Sequence, residues 1–297
     1  MRIVVAGGSG FLGSALVGAC RADGHEVTVL SRRASRSGEV QWLSPSSGSN
    51  WTGVLERADA VVNLAGEGIA DSRWTETRKR ALIESRVAAT RALADAIRAC
   101  AHPPPAFISG SAVGFYGTHG DEVLTEEASS GSDFLAAICR GWEQEAQRAV
   151  GVTRVVLLRT GLVLARDGGV LPRMALPFRF FVGGRVGSGR QYMSWIHLSD
   201  WVAMVRWALT NAVVSGPLNV TAPTPVTNAA FTRELAGAMR RPAIFPVPPF
   251  ALRIALGREL ADTALLNGQR AIPAKAQQLG YQFSFPTVGP ALRDIYS

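Results

Sequence analysis

Short apolar runs alternate with longer amphipathic segments over the first 165 residues. The runs RIVVAGG, HEVTVLSRR, ADAVVNLAG, PAFISGSAVG and TRVVLLRTGLVL are largely apolar, which predicts five buried strands. Between them, residues 11–23, 74–99 and 133–146 carry apolar side chains at helical spacing, which predicts helices. Strands that alternate with helices indicate an α/β fold, a doubly wound parallel sheet with helices on both faces.

The alternation ends after Leu164, where residues 166–190 are rich in glycine and interrupted by proline. This stretch predicts a loop or a short helix outside the sheet, an excursion toward the C-terminal cap described below. A helix within WIHLSDWVAMVRWALTN, capped by Ser199 or Asp200, and a last strand, GPLNVTA, complete a first domain of residues 1–225. Residues 226–297 combine helical patterns, prolines and a short alternating strand, YQFSF, and predict a small α+β cap domain.

Composition and charge narrow the class of protein. A hydrophobic content of 47% with 18% charged residues is ordinary for a globular chain of 297 residues, and no apolar run is long enough to span a bilayer. The opening MRIVVAGG is typical of a first strand and not of a signal peptide, so we expect a cytoplasmic protein without a membrane partner. The net charge of +8 comes from dispersed arginines and suits an anionic cofactor, so we expect no nucleic-acid partner.

Cysteine and histidine residues do not form a metal-binding pattern. The three cysteines are far apart in sequence, and the four histidines form no HxxxH or HExxH pair. We therefore expect no metal ligands and no disulfide framework.

A glycine motif lies between the first predicted strand and the first predicted helix. Gly7, Gly10 and Gly13 are spaced as GxxGxxG in the segment GGSGFLG. Glycine is required where the backbone turns tightly and approaches a pyrophosphate, and the start of the helix then presents free N–H groups to the phosphates. The motif in this context predicts dinucleotide binding.

The end of the second strand indicates which dinucleotide is bound. Enzymes that use NAD usually carry an acid there for the ribose 2′-hydroxyl, whereas this chain has Ser31, Arg32 and Arg33. Guanidinium groups pair with a 2′-phosphate, so the cofactor predicted is NADP(H). The alternative is that these arginines are solvated in a loop with Arg36. Asn63, Leu64, Ala65 and Gly66, at the end of the third strand, are expected along the adenosine and ribose, although a strand end followed by a turn would have the same sequence.

Several motifs together resemble the extended short-chain dehydrogenase/reductases, the superfamily of sugar-nucleotide epimerases and dehydratases. NLAGEGI, FLAAICRGWE, GSGRQYMSWIHLSD and LLNGQRAIPAKAQQLGYQFSFPT are closest to an atypical branch, the epimerase family proteins with a C-terminal domain of unknown function. The resemblance covers nearly the whole chain and implies a Rossmann fold, bound NADP(H) and a C-terminal cap. Position by position, it assigns to the cofactor Gly7, Gly10, Phe11, Leu12, Gly13, Ser31, Arg32, Leu64, Ala65 and Arg86. For Arg86, a solvated position on a charged helix face is an equally good interpretation.

The same resemblance exposes a missing pair of catalytic residues. Working members of the superfamily carry a tyrosine as general acid/base and, four residues later, a lysine that lowers its pKa. When Glu143 is aligned with the acid that follows this motif, the two positions hold Leu135 and Cys139. Leucine has no proton to give, and a cysteine in an apolar helix stays a thiol.

Other residues are candidates for the missing chemistry. Ser111 matches the substrate-orienting serine, and Tyr116 is a possible proton donor, although a tyrosine packed in the pocket wall is the commoner arrangement. His197 near Asp200 could act as a base or simply satisfy backbone groups at a helix start, and Cys139 is a weaker candidate nucleophile.

Two hypotheses of different class follow. The first is an NADP(H)-dependent oxidoreductase or epimerase-like enzyme with a rearranged proton donor and an unspecified small-molecule substrate. The second is a non-catalytic NADP(H)-binding protein whose cofactor state controls a partner or its own stability, as a sensor or scaffold. The first predicts a polar pocket above the nicotinamide, and the second predicts that this space is filled or apolar.

Overall fold

The computed structural model describes residues 1–33, 37–42 and 51–297; Arg36 lies outside these ranges. The strands in chain order are β1 (Arg2–Ala6), β2 (Glu26–Ser31), β3 (Glu39–Gln41), β4 (Ala60–Asn63), β5 (Ala106–Ala112), β6 (Val123–Leu124), β7 (Arg154–Thr160), β8 (Leu162–Ala165), β9 (Gly168–Gly169), β10 (Tyr192–Met193), β11 (Trp195–His197), β12 (Gly216–Val220), β13 (Val226–Thr227) and β14 (Arg270–Ala271). The helices are α1 (Phe11–Ala22), α2 (Glu76–Ala99), α3 (Phe134–Gln147), α4 (Leu171–Arg179), α5 (Leu198–Thr210), α6 (Asn228–Met239), α7 (Pro249–Leu256), α8 (Arg258–Ala261), α9 (Ala274–Gln278) and α10 (Val288–Tyr296).

Seven strands form one parallel sheet in the order β12-β7-β5-β4-β1-β2-β3. Alternate residues of β1 enter two separate cores, because successive strand residues point to opposite faces. Ile3 and Val5 pack with residues of α1 and α5 on one face, and Val4 and Ala6 pack with residues of α2 and α3 on the other. The predicted α/β class, with a Rossmann-type doubly wound sheet, is confirmed.

The strand order reverses direction between β1 and β4. In open parallel sheets, ligands bind in the crevice at the carboxyl ends of the strands next to such a reversal. The segments after β1 and β4, which contain the glycine motif and Leu64–Gly66, therefore meet at one edge of the sheet. We therefore expect a cofactor site at this edge of the sheet.

The C-terminal part of the chain shares a core with the preceding residues. Phe231, Leu235 and Leu292 are buried in one cluster with Leu164 and Trp195. The Asp200 carboxylate of α5 accepts hydrogen bonds from the backbone N–H groups of Ser284 and Phe285. The division into residues 1–225 and 226–297 stays a prediction, but the second part does not bury its apolar surface by itself.

Several local expectations were wrong. RVVLLRTGLVL forms two strands, because the chain leaves the main sheet at Gly161 and β8 pairs with β11 and β9 instead. Residues 281–285 form no strand, since Asp200 takes the N–H groups of Ser284 and Phe285. The N-cap of α5 is His197, whose side chain accepts from the N–H of Ser199. The short edge strand β3 was not predicted.

None of the helices in the described ranges is long and apolar enough to cross a membrane.

Candidate functional site

The glycine motif forms a tight turn between β1 and α1. Gly7 has a φ of +78°, and a Cβ there would lie 2.6 Å from the carbonyl carbon of Leu64. Gly13, in the first turn of α1, packs against the same loop so closely that a Cβ would overlap the carbonyl oxygen of Gly7. Both positions require glycine because each faces backbone. They bring the start of α1 against the end of β4, as a cradle for a dinucleotide requires.

Phe11 and Leu12 open α1, with Gly10 as its N-cap. The Phe11 ring lies beneath the β9 turn, where Cβ atoms on Gly168 and Gly169 would collide with it. The N-cap makes no side-chain hydrogen bond and the first turn holds no acid, so no side chain of this turn places a carboxylate against an anion.

Asn63 shapes the segment that follows β4. Its side-chain oxygen accepts from the N–H of Ala65 at 3.2 Å, and its amide nitrogen donates to the Thr90 hydroxyl at 2.7 Å. Asn63 and Thr90 are fully buried, so the turn at Leu64 and Ala65 is held from α2. This asparagine is part of the sequence motif NLAG, but only the structure shows that its side chain orders the turn.

A groove of about 400 Å³ runs from the glycine loop to the end of β2. It is lined by Gly8, Ser9, Ser31 and Arg33, among others. The Ser31 hydroxyl donates to the carbonyl of Arg33 at 3.0 Å and so orders the turn that presents both arginines. Arg32 and Arg33 are exposed, and it is Arg33 whose atoms line the groove.

Arg86 is buried, which excludes the interpretation as a solvated arginine on a helix face. Its guanidinium donates to the carbonyl of Leu82 at 3.0 Å and to the carbonyl of Glu67 at 2.8 Å, and lies 5.2 Å from the Trp142 ring. A Cβ at Gly66 would lie 3.0 Å from the guanidinium carbon, so Arg86 sits directly behind the end of β4. Burial lowers the pKa of Arg86, because carbonyl groups only partly replace water.

The two positions of the missing pair lie on one face of α3. Leu135 is half-buried and packs on Gly114, and a Cβ at Gly114 would lie 4.0 Å from the Cys139 sulfur. Cys139 is buried, and burial raises its pKa to about 12. The thiol therefore keeps its proton at neutral pH, which speaks against a nucleophilic cysteine.

Ser111 and Tyr116 belong to one buried polar network. Ser111 donates to Glu143 at 2.6 Å, and the Arg159 guanidinium donates to both oxygens of the same carboxylate at 2.9 and 3.0 Å. Tyr116 is fully buried and donates to Asn219 at 2.6 Å, while Arg159 donates to the Tyr116 oxygen at 3.1 Å. Both hydroxyl protons are engaged within the protein. The catalytic roles of Ser111 and Tyr116 stay predictions. The geometry favours the alternative that Tyr116 is packed in the wall of the pocket.

Charge is balanced inside this network. Burial opposes the charge on Arg159, but the hydrogen bonds that Arg159 donates to Glu143, together with its interaction with Tyr116, outweigh this effect and hold the pKa of the guanidinium above its ordinary value. Burial also raises the pKa of Tyr116, although the nearby Arg159 opposes that shift. Arg159 was not singled out from the sequence. A charged residue in the middle of the apolar run RVVLLRT was the signal that could have identified it.

His197 and Asp200 hold the fold together. The His197 ring caps α5 and lies 3.4 Å from the carboxylate of Asp294, and its centroid lies 4.2 Å from that of the Phe285 ring, with the two planes tilted by 40°. Asp200 binds the backbone of residues 284–285. This arrangement matches the structural interpretation of the pair. Within the described residues, no group of three or more His, Cys, Asp or Glu side chains is placed to hold a metal ion.

Comparisons with known proteins cover the whole chain. Residues 3–221 match the model of the NAD dependent epimerase/dehydratase family, and residues 247–295 match a domain of unknown function, DUF1731. The epimerase family protein ML0860 of Mycobacterium leprae is 45% identical over 98% of this chain and 94% of its own length. The epimerase family protein YfhF of Bacillus subtilis is 41% identical over 99% of this chain and 98% of its own length.

A crystal structure of human epimerase family protein SDR39U1 (isoform2) with NADPH superposes with a TM-score of 0.92. That chain is 38% identical, and the match covers 100% of this chain and 99% of the human one. The family model, the relatives and the fold agree with the predicted resemblance. The chain therefore belongs to the NAD dependent epimerase/dehydratase family and carries the C-terminal DUF1731 domain.

Proposed function

We propose that this protein binds NADP(H) at the carboxyl edge of its sheet and does not use the tyrosine–lysine route of its superfamily. The observation that carries the first part is the close packing of Gly7 and Gly13 against backbone. No side chain fits at either position, so the loop leaves the start of α1 open to a pyrophosphate. The human relative crystallised with NADPH has the same fold over its whole length.

The residues present fit this cofactor. Gly7, Gly10 and Gly13, with Phe11 and Leu12 at the start of α1, would hold the pyrophosphate. Leu64, Ala65 and Gly66 would lie along the adenosine and its ribose, and Arg86 would contact the cofactor from behind Gly66. Ser31 orders the turn whose two arginines, Arg32 and Arg33, would pair with the 2′-phosphate.

Bound NADPH supplies a hydride. None of the four candidate residues in the described part of the chain is placed to move a proton to or from a substrate. The Leu135 side chain has no proton to transfer, and Cys139 keeps its proton because burial raises its pKa. The hydroxyl protons of Ser111 and Tyr116 are held by Glu143 and Asn219. General acid catalysis is worth about 10²–10⁴ in rate, so hydride transfer to simple carbonyl compounds should be slow by at least this factor.

The engagement of these candidate proton donors also favours a second candidate function, a non-catalytic NADP(H)-binding protein that acts as a sensor or scaffold. Its activity would reside in the difference between the free and the bound protein. The two candidates share the cofactor and differ in turnover, so one must measure the two properties separately.

Cofactor binding is tested by titrating NADPH and NADH into the protein and into Arg32→Ala and Arg33→Ala. Loss of a charge-assisted phosphate contact costs about 1.5–3 kcal/mol, so NADPH should bind about ten- to a hundredfold more weakly to at least one variant, with NADH unaffected. Arg98→Ala, at the far end of α2, is the matched control. Equal affinity of the unmodified protein for both cofactors would refute the assignment of NADP(H).

Turnover is tested with aldehydes, ketones and nucleotide sugars, followed by NADPH absorbance. Undetectable turnover with intact NADPH binding supports the absence of the standard route. Fast turnover abolished by Tyr116→Phe would instead make Tyr116 a relocated proton donor. Fast turnover that survives both Tyr116→Phe and Ser111→Ala would mean that another acid is present.

A further inference from the structure

The positive charge of the chain is concentrated in two segments. Residues 168–190 and 240–258 contain eight arginines and no acidic residue or lysine. The remaining chain holds 23 of the 31 basic residues and all 23 acidic residues, so its formal charge is zero. All eight arginines are exposed: Arg173, Arg179, Arg185, Arg190, Arg240, Arg241, Arg253 and Arg258. Arginines are dispersed along the whole sequence, but the excess of +8 over the acidic residues falls within these two segments.

The same two segments carry most of the exposed apolar side chains. Among the described residues, thirteen large hydrophobic residues are exposed, and eight of them lie in these segments: Leu176, Phe180, Phe181, Val182, Ile244, Phe245, Phe250 and Ile254. Phe180, Ile244 and Ile254 are each 69% exposed. Helix α7 has the sequence PFALRIAL and contains no buried residue. A mostly apolar helix left uncovered is a feature of surfaces that bind a partner.

Backbone hydrogen bonds join the two segments into one surface, which we name the basic apolar face. The N–H of Val247 donates to the carbonyl of Arg185 at 2.8 Å, and the N–H of Phe245 donates to that of Gly183 at 3.1 Å. Phe181, in the first segment, has a left-handed φ of +62°. Its ring centroid lies 4.7 Å from the guanidinium carbon of Arg241 in the second segment. A left-handed phenylalanine is strained, and such strain concentrates at functional sites.

The face lies at the carboxyl edge of the sheet. Arg173 of α4 donates to the carbonyl of Ala70 at 2.7 Å, in the loop that follows β4. Arg73 of the same loop donates to the carbonyl of Ala255 in α7 at 3.2 Å. Arg173 also pairs with Asp71, and Arg253 and Arg258 both pair with Asp262. These two acids belong to neighbouring segments, and eight arginines against two acids leave the face basic.

We propose that the basic apolar face docks on an anionic lipid bilayer, with the arginines on the headgroups and the phenylalanine and isoleucine side chains in the interfacial layer. A second copy of the chain is disfavoured, because a symmetric contact would bring two sets of eight arginines together. A bilayer supplies negative charge and apolar depth at once, and it accepts apolar side chains that project from separate turns and from a helix. The proposal departs from the expectation of no membrane partner, which rested on the lack of a spanning segment, whereas this face is formed by two short segments from different parts of the chain.

The test is co-sedimentation of the full chain with vesicles of phosphatidylcholine alone and of phosphatidylcholine mixed with phosphatidylglycerol. Binding is expected only to the mixed vesicles, and it should weaken at high NaCl because salt screens the headgroup charge. Each arginine near an anionic surface changes affinity by about fivefold, so Arg179→Gln/Arg240→Gln should bind about 25-fold more weakly. Phe180→Ser/Phe250→Ser should lose at least tenfold, since each ring leaves an apolar environment.

Matched controls are available at the opposite edge of the sheet. Val150→Ser/Val213→Ser removes two apolar side chains that are 61% and 70% exposed, and Arg2→Gln/Arg98→Gln removes two exposed charges. Both control variants should bind mixed vesicles as the unmodified chain does. All the changed side chains are exposed, and unchanged thermal unfolding would show that each variant is folded.

Three results would overturn the proposal. The first is equal binding to neutral and anionic vesicles, or binding to neither. The second is the same loss of binding in the control variants as in the variants of the face. The third is a concentration-dependent dimer in size-exclusion chromatography that Phe180→Ser/Phe250→Ser converts to a monomer, which would assign the face to a second copy of the chain.

Discussion

Gly13 is a position in the candidate cofactor cradle where a single methyl group should have a large effect. A Cβ there would overlap the carbonyl oxygen of Gly7 and lie 2.7 Å from the Cα of Gly8 and 2.9 Å from the carbonyl carbon of Gly7. All three atoms belong to the backbone of the glycine loop, so no side chain can turn away. To bring the contact with the Cα of Gly8 to an ordinary separation of about 3.5 Å, the loop and α1 must move apart by roughly 0.8 Å, and the overlap with the carbonyl oxygen of Gly7 requires more.

The cost of Gly13→Ala can be estimated from two opposing effects. Overpacking a well-ordered site costs typically about 1–3 kcal/mol. Replacing a glycine by alanine inside a helix regains up to about 1 kcal/mol. The variant should therefore be less stable by about 1–2 kcal/mol, which for a chain of this size lowers Tm by about 2–3 °C. NADPH affinity should fall at least tenfold, because the displaced loop no longer presents its N–H groups to the pyrophosphate.

The assays are thermal unfolding without cofactor and equilibrium titration with NADPH. Gly237→Ala is the control, since Gly237 lies in α6 with no atom within 4 Å of a Cβ placed there. That variant should keep its NADPH affinity and its stability, or gain slightly in stability. If Gly13→Ala matched Gly237→Ala in both assays, the close packing of the loop on α1 would not be what holds the cradle in place.

Three further predictions concern stability. Arg159→Met should lower the free energy of unfolding in urea by about 3–5 kcal/mol, because the Glu143 carboxylate is left buried without its charged partner. Adding Glu143→Gln should recover part of this loss. A loss below about 1 kcal/mol in Arg159→Met would contradict the paired arrangement. Residues 226–297 expressed alone should show no cooperative thermal transition, since their apolar side chains share a core with residues 164–222, and a sharp transition would show an independent domain. Burial lowers the pKa of His197, so the stability that its neutral form contributes is fully present above about pH 6.5 and is lost as the pH falls through the lower pKa of the folded state. The decline of Tm on acidification should accordingly be shallower in His197→Asn, and parallel curves for the two proteins would contradict it.

Local sequence determined the main sheet and the position of the cradle. Buried parallel strands are apolar and β-branched, and glycines are required where backbone meets backbone, so each signal lies within a few consecutive residues. For this reason β1, α1 and β4 could be predicted, and Gly7 and Gly13 with them. The family resemblance added Arg86, whose burial the amphipathic pattern of α2 did not reveal.

Tertiary structure decided what distant residues do together. Ser111, Glu143, Arg159, Tyr116 and Asn219 come from five separate elements, and only their packing shows that the two candidate hydroxyl groups are engaged by neighbours. In the same way, RVVLLRTGLVL divides into two strands because its second part pairs with β11 and not with the main sheet. The charge of the chain follows the same rule: the sequence shows +8, but the basic apolar face exists only because the backbone joins residues 183–187 to residues 245–247. Hydrophobic period and glycine spacing are local properties, whereas burial, pKa and surface patches depend on contacts between residues far apart in the chain.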